Sequence, residues 1–173
     1  MVFVCIDKFK RIFPYIYTKK INMKIRLLNP GEQIPYDLLL SADPSIEVIG
    51  KYLDRNYTYV AEKDGRIVAV YILYPVEADI IEIKNIAVAE DCRNQGIGTA
   101  LLVHAAGISR DSGYSKLIIG TADVSLSPLS LYQKNGFKIS GVKKNFFVDN
   151  YPEPVFDDGE RCVDMVMLEK NLL

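Results

Sequence analysis

Tryptophan is absent, histidine occurs once, at His104, and cysteine is limited to Cys5, Cys92 and Cys162. An odd cysteine count without CxxC or Cys/His spacing excludes a disulfide framework or zinc site, and it fits a reducing, cytoplasmic compartment. One histidine and scattered carboxylates assemble no metal cluster, so no metal is expected. No apolar run approaches the ~18 to 20 residues that cross a bilayer. An excess charge of one sign is lacking too, since the formal net charge is −1. The chain as a whole therefore points to neither nucleic acid nor membrane as a partner.

What is present is the composition of a globular domain: 173 residues, 49% hydrophobic and 25% charged, long enough to bury one core without cross-links. Residues 1–22 stand apart. They carry Lys8, Lys10, Arg11, Lys19 and Lys20 against Asp7 alone, interleaved with Phe3, Phe9, Phe13, Tyr15 and Tyr17. Such a lead can act as a membrane-surface or nucleic-acid arm. Charge interrupts its apolar runs, however, and it has no small-residue cleavage site, so it is a poor signal peptide. Because a strand-like KIRLLN begins at Lys24, Met23 is the expected start of the fold. Residues 1–22 are then an extension, non-native or loosely docked, and 23–173 form one domain.

Residues 24–29 alternate Ile25 and Leu27 against Lys24 and Arg26, as an edge strand does. A short helix is expected from Tyr36, and Asp43-Pro44-Ser45 offers an N-cap to a second carrying Ile46, Ile49 and Leu53. Strands at 57–63 and 66–76 meet at Asp64-Gly65, a two-residue turn that accepts positive φ, and a strand at 79–89 continues the meander. Ile97, Ala100, Leu101, Ala105 and Ile108 predict a helix to Ser112, with a short buried strand at 116–121. Strand, helix, strand at this length is a right-handed crossover, so those two strands are parallel and the sheet is mixed. Ser127-Pro128 opens another helix that Gly136 stops. Strands at 138–148 and 162–168 complete the fold, joined by 149–161.

Between the strand at 79–89 and its helix lies Arg93-Asn94-Gln95-Gly96-Ile97-Gly98. Two glycines at a helix mouth allow close approach of the main chain, and the first helical N–H groups have no partner inside the helix. That is a seat for phosphate oxygens. It is no P-loop, because no Gly-Lys-Ser/Thr follows. Nor is it a dinucleotide fingerprint: Leu101 holds the third glycine position and the turn is too long, although Asp123 could imitate the ribose-binding acid.

Asn85-Ile86-Ala87-Val88, then Arg93 to Gly98, then Leu131-Tyr132-Gln133-Lys134-Asn135-Gly136-Phe137 together resemble the successive motifs of the GNAT superfamily of acetyl-CoA-dependent N-acetyltransferases. The motifs occupy residues 82–137, and the order of elements matches over about 24–168. The resemblance implies an α/β fold with a central mixed sheet of about seven strands and about four flanking helices, whose parallel pair, splayed by a bulge, holds the coenzyme. Acetyl-CoA is the implied co-substrate. Its pantetheine arm would pair with Ile86, Ala87 and Val88 as a further strand would. Its diphosphate would sit over Arg93, Asn94, Gln95, Gly96, Ile97, Gly98 and Thr99, with Ser125 a weaker contact.

Direct transfer to an amine needs an oxyanion donor, a proton for the departing thiolate and a base for the amine. The N–H of Val88 is the candidate donor. Tyr132 matches the position whose phenol faces the coenzyme sulfur, and a phenol of pKa about 10 can protonate a thiolate. Glu82 stands where the histone-acetylating branch carries its base, and period two groups it with Lys84, Ile86 and Val88 on one face. Lys84 would equally neutralise it as an ion pair. The branch acting on protein N-termini carries its base where this chain has Gly120, with Asp123 a remote substitute. His104 reads as a boundary residue.

For the acceptor, Asp149, Glu153, Asp157, Asp158 and Glu160 with Tyr151 and Phe156 make an acidic, aromatic connection suited to a small cationic amine of polyamine or amino-sugar type. Tyr36, Asp37, Asp43 and Tyr52 border the same site. Acetylation of a protein lysine or N-terminus is the alternative within the class, and a non-catalytic coenzyme-A-binding regulatory module is the alternative outside it. The resemblance also allows a homodimer.

Overall fold

Two periods, near two and near 3.6, alternate along residues 23–173, which are those the computed structural model describes. The expectation for residues 1–22 lies outside the described residues. Strand β1 is Met23–Leu27, followed by helices α1 (Tyr36–Ala42) and α2 (Ile46–Tyr52). The meander is β2 (Thr58–Lys63), β3 (Arg66–Pro75) and β4 (Ile80–Val88), and then come α3 (Ile97–Asp111), β5 (Lys116–Ala122) and α4 (Leu126–Lys134). Strand β6 (Lys138–Lys143), α5 (Phe146–Asn150), a hairpin of β7 (Phe156–Asp157) and β8 (Glu160–Arg161), and β9 (Met165–Asn171) finish the chain. Seven strands make one sheet in the order β1-β2-β3-β4-β5-β9-β6. Among the described residues its only parallel pair is β4 with β5. No helix among the described residues is long and apolar enough to cross a membrane.

The mixed α/β sheet expected from the sequence is the sheet observed. Asp64 (φ +52°) and Gly65 (φ +75°) make the β2–β3 turn, the positive pair that a tight hairpin requires. Four local expectations need correction. Leu27 is exposed, and Leu28 turns inward instead. Ile46 is exposed as well, and the inward face of α2 carries Ile49 and Tyr52. Helix α4 starts earlier than Ser127, with Ser125 at its N-cap position. The strand expected to reach residue 148 stops at Lys143, because Asn145 takes φ +54° and Phe146 opens α5.

Two apolar layers sandwich the sheet. On one face Leu101, Leu102 and Ala105 of α3 pack on Ala69, Tyr71, Leu73, Ile81 and Ile83. On the other, Leu39, Ile49 and Tyr52 pack on Val70, Ile72 and Ala87. Each fully buried aliphatic side chain of this kind contributes about 1.5–3 kcal/mol.

His104 lies on α3, where the Tyr71 hydroxyl meets its Nδ1 at 2.7 Å. Burial pushes the Tyr71 phenol up, so it stays protonated and is the donor, and burial holds His104 below its usual 6.5. As pH falls, the unfolded chain therefore takes up a proton before the folded one does. The stability associated with this group is complete above about 6.5 and is lost as pH falls from there toward the lower folded value. Melting temperatures measured between pH 7.5 and 5 are expected to fall, and to fall less steeply in His104→Gln.

Candidate active site

Strands β4 and β5 pair only through residues 80–83 and 116–119. Beyond that, β5 stays with β9 while β4 stays with β3, so the two parallel strands part. The Ala89 N–H donates to the Val68 carbonyl at 2.8 Å. Alternation along an antiparallel ladder then turns the backbone groups of Asn85 and Ala87 toward β3, and those of Ile86 and Val88 into the gap. Arg93 Nε donates to the Val88 carbonyl at 3.3 Å, which leaves the Val88 N–H facing the opening.

The β3–β4 register steps from Ile72 opposite Asn85 to Leu73 opposite Ile83. Lys84 is thus an extra residue, a bulge. It overturns the expected grouping of Glu82 with Ile86 and Val88 on one face, because an inserted residue reverses the alternation. Ile81, Ile83, Ile86 and Val88 all pack on the α3 side, whereas Ala87 and Asn85 face α1 and α2. Glu82, alternating with Ile81 and Ile83, belongs with Asn85 and Ala87. It is only 5% exposed, and Lys84 Nζ is bound to its Oε2 at 2.7 Å. The expected ion pair is therefore present, but buried on the carboxylate side. The Lys84 ammonium also lies 5.8 Å from the centroid of the Tyr74 ring.

At the carboxyl end of β4, Asn94 (φ +58°) and Gly96 (φ +81°) turn the chain into α3. The first helical hydrogen bond is Ala100 N–H to Gly96 carbonyl at 3.0 Å. The N–H groups of residues 94–99 accordingly donate to no acceptor among the described residues. Open donors leading into a helix N-terminus make this loop a candidate seat for an anion. A Cβ on Gly98 would lie 3.0 Å from Leu131 Cδ2, so the second glycine lets α3 and α4 meet at the mouth. Gln95 is fixed by its amide on the Asp91 carbonyl at 3.2 Å and by Lys63 Nζ on its Oε1 at 3.0 Å. Thr99 Oγ1 faces Asn135 Nδ2 at 3.5 Å.

Tyr132, on α4, is 6% exposed and its ring centroid is 6.2 Å from that of Phe137. Its hydroxyl has no hydrogen-bond partner among the described residues, and it is not among the fully enclosed unpartnered atoms. Burial pushes the phenol up, which keeps it protonated. Ser125 Oγ is bonded to the Asp157 carboxylate, so Asp157 closes on the α4 N-terminus instead of hanging free. Asp158 (φ +48°) and Gly159 (φ +83°) form the exposed tip of the β7–β8 hairpin. Tyr36 is an exposed residue at the start of α1. Tyr151 donates to Asp43 Oδ1 at 3.2 Å. At Gly120 a Cβ would meet Met165 Sδ at 2.5 Å, so two β9 methionines occupy the space a base on β5 would need.

A family model described as acetyltransferase (GNAT) domain matches residues 54–139, the stretch that contains the gap, the anion seat and Tyr132. An N-acetyltransferase of Bacillus subtilis (strain 168), itself uncharacterised, is 37% identical over 155 residues, covering 88% of this chain and 100% of the relative. The chain belongs to the GNAT acetyltransferase family. A GNAT family acetyltransferase from Elizabethkingia anophelis, solved with acetyl-CoA bound, is 47% identical with a TM-score of 0.84, covering 88% of this chain and 99% of that one. An IAA acetyltransferase from Bacillus cereus ATCC 14579 is 40% identical with a TM-score of 0.79, covering 86% and 99%. This acetyltransferase is accordingly an acetyl-CoA-dependent N-acetyltransferase.

Within that identification, sequence reasoning overlooked the contact network on the α1/α2 side of the gap. Asp43, Tyr52 and Asn85 are each legible as polar residues, but their mutual bonds join positions 9 and 33 residues apart. No local pattern encodes such pairs.

Proposed function

We propose that the acetyltransferase transfers the acetyl group to the primary amine of a small cationic molecule, by direct attack within a ternary complex. The observation that carries this reading is the Tyr151–Asp43 bond at 3.2 Å. It ties the long terminal connection to the α1–α2 turn and walls the side from which an acceptor must approach. A walled approach admits a small molecule more readily than a peptide chain. Carboxylates at Asp43, Glu82 and Asp157 favour an ammonium on that side, with Lys84 bonded to Glu82 and Arg161 at the adjoining cavity as the opposing cations.

In this reading the N–H groups of residues 94–99 bind the diphosphate, and the edge of β4 at Ile86, Ala87 and Val88 pairs with the pantetheine amides. Glu82 draws a proton from the incoming ammonium through water, with Lys84 Nζ held on its Oε2. The freed amine attacks the thioester carbonyl, and the Val88 N–H takes the developing oxyanion. The C–S bond then breaks as Tyr132 gives its proton to the departing thiolate, and the proton shed by the amine restores the phenol.

The test is a screen of small amines and of peptides with acetyl-CoA, following thiol release. Turnover of peptides alone would remove the reading. For Glu82→Gln, activity at pH 7 is expected to fall about tenfold, less than the ~10²–10⁴ of a direct base because the amine also loses protons to water. The deficit should shrink as pH rises and more of the amine is already neutral. A deficit independent of pH would assign Glu82 to structure.

A further inference from the structure

A hydrogen-bonded chain of four side chains crosses the α1/α2 side of the gap. Tyr151 donates to Asp43 Oδ1 at 3.2 Å, and Tyr52 donates to Asp43 Oδ2 at 2.9 Å. Asn85 Nδ2 donates both to the Tyr52 hydroxyl oxygen and to the Leu39 carbonyl, each at 3.1 Å. The Ser45 N–H gives the Asp43 carboxylate a third donor at 3.1 Å. Asp43 is 7% exposed, and a carboxylate at that depth depends on its donors. At its far end the chain reaches Asn85, the residue after the Lys84 bulge, on the strand that turns the Val88 N–H into the gap. Its near end, Tyr151, differs in kind. Tyr52 and Asn85 are core members, but Tyr151 is half-buried and is the one member on the terminal connection. Its ring stacks on Phe147 at 5.6 Å and helps to line a cavity of about 190 Å³ with Phe147, Pro152, Val155 and Cys162.

We propose that Tyr151 is a specificity-determining positioning residue: its bond to Asp43 latches the terminal connection over the acceptor side, keeping out water and bulky amines. The phenol reaches from the cavity to the acceptor side, so it stands between the two. Removing the hydroxyl leaves Asp43 two donors and the core struts in place, and releases only the connection. Removing the ring joins the cavity to the acceptor side and enlarges the space for an amine.

The inference rests on the small-amine reading for its acceptor arm only. Its second arm, hydrolysis of acetyl-CoA to acetate and coenzyme A without any amine, needs no acceptor. Tyr151→Phe is expected to raise this hydrolysis about tenfold, and the KM of the best amine by a similar factor, with the KM for acetyl-CoA unchanged. Tyr151→Ala is expected to turn over amines with larger apolar substituents than wild type accepts. A lower melting temperature in Tyr151→Phe with hydrolysis and amine KM unchanged would overturn the latch, leaving a structural bond. If wild type acetylates no small amine, the proposed function fails, while the hydrolysis comparison still decides the latch.

Discussion

Replacing Tyr132 by phenylalanine is expected to lower kcat about 100-fold at neutral pH while leaving affinity for coenzyme A unchanged. The substitution keeps the ring that packs near Phe137 and removes only a hydroxyl that has no partner among the described residues. The fold therefore loses no hydrogen bond, whereas in the proposed reaction the departing thiolate loses its proton donor. Burial, which pushes the phenol up, keeps it in the protonated form that a donor needs. Thiol release under saturating acetyl-CoA measures the rate, and calorimetry with coenzyme A measures the binding. An unchanged kcat would make Tyr132 a packing residue, and a parallel loss of affinity would make it a coenzyme contact. Retained binding without turnover is the outcome that separates an enzyme from a coenzyme-binding module.

The second large effect is expected at the anion seat. Gly96→Val should weaken acetyl-CoA binding about 100-fold and cost about 1–2 kcal/mol of stability. Gly96 sits at φ +81° with open space around it, so the penalty is one of backbone conformation and not of collision. A β-branched residue relaxes toward negative φ, which swings the N–H groups of Gly96 and Ile97 out of the open set. Each charge-assisted hydrogen bond lost to a phosphate is worth about 1.5–3 kcal/mol. Gly107→Ala, further along α3 where added volume also meets nothing, is the control, and it should leave coenzyme affinity unchanged. Equal affinity in Gly96→Val and wild type would remove the diphosphate from this loop.

Features encoded within a few residues of one another were legible in the sequence. The Asp64-Gly65 turn, the amphipathic run of α3 and the left-handed Gly136 (φ +87°) each depend on local chemistry, and they appear where expected. The mixed sheet was legible for the same reason, since the length from β4 through α3 to β5 dictates a crossover. The Lys84 bulge was not legible at its position, because register is a property of two strands and β4 alone reads as unbroken. Its consequence for Glu82 was therefore misassigned. Helix α5 was hidden because Phe146, Phe147 and Val148 have strand-like propensity, and only the Asn145 turn, held by its N–H on Asp164 Oδ1 at 2.9 Å, redirects the chain. Asp157 reads as a free loop acid until the fold brings Ser125, 32 residues away, against it.

The inserted Lys84 also governs how this protein tolerates changes of chain length. Excising Lys84 itself would restore simple alternation and leave both faces as they are, because Ile83 and Ile86 would still meet the α3 layer and Asn85 and Ala87 the α1 side. What would go is the bend and extra twist that a bulge gives its strand, beside the point where β4 leaves β5. A one-residue loss further along, with the bulge kept, would instead exchange the faces of every residue beyond it.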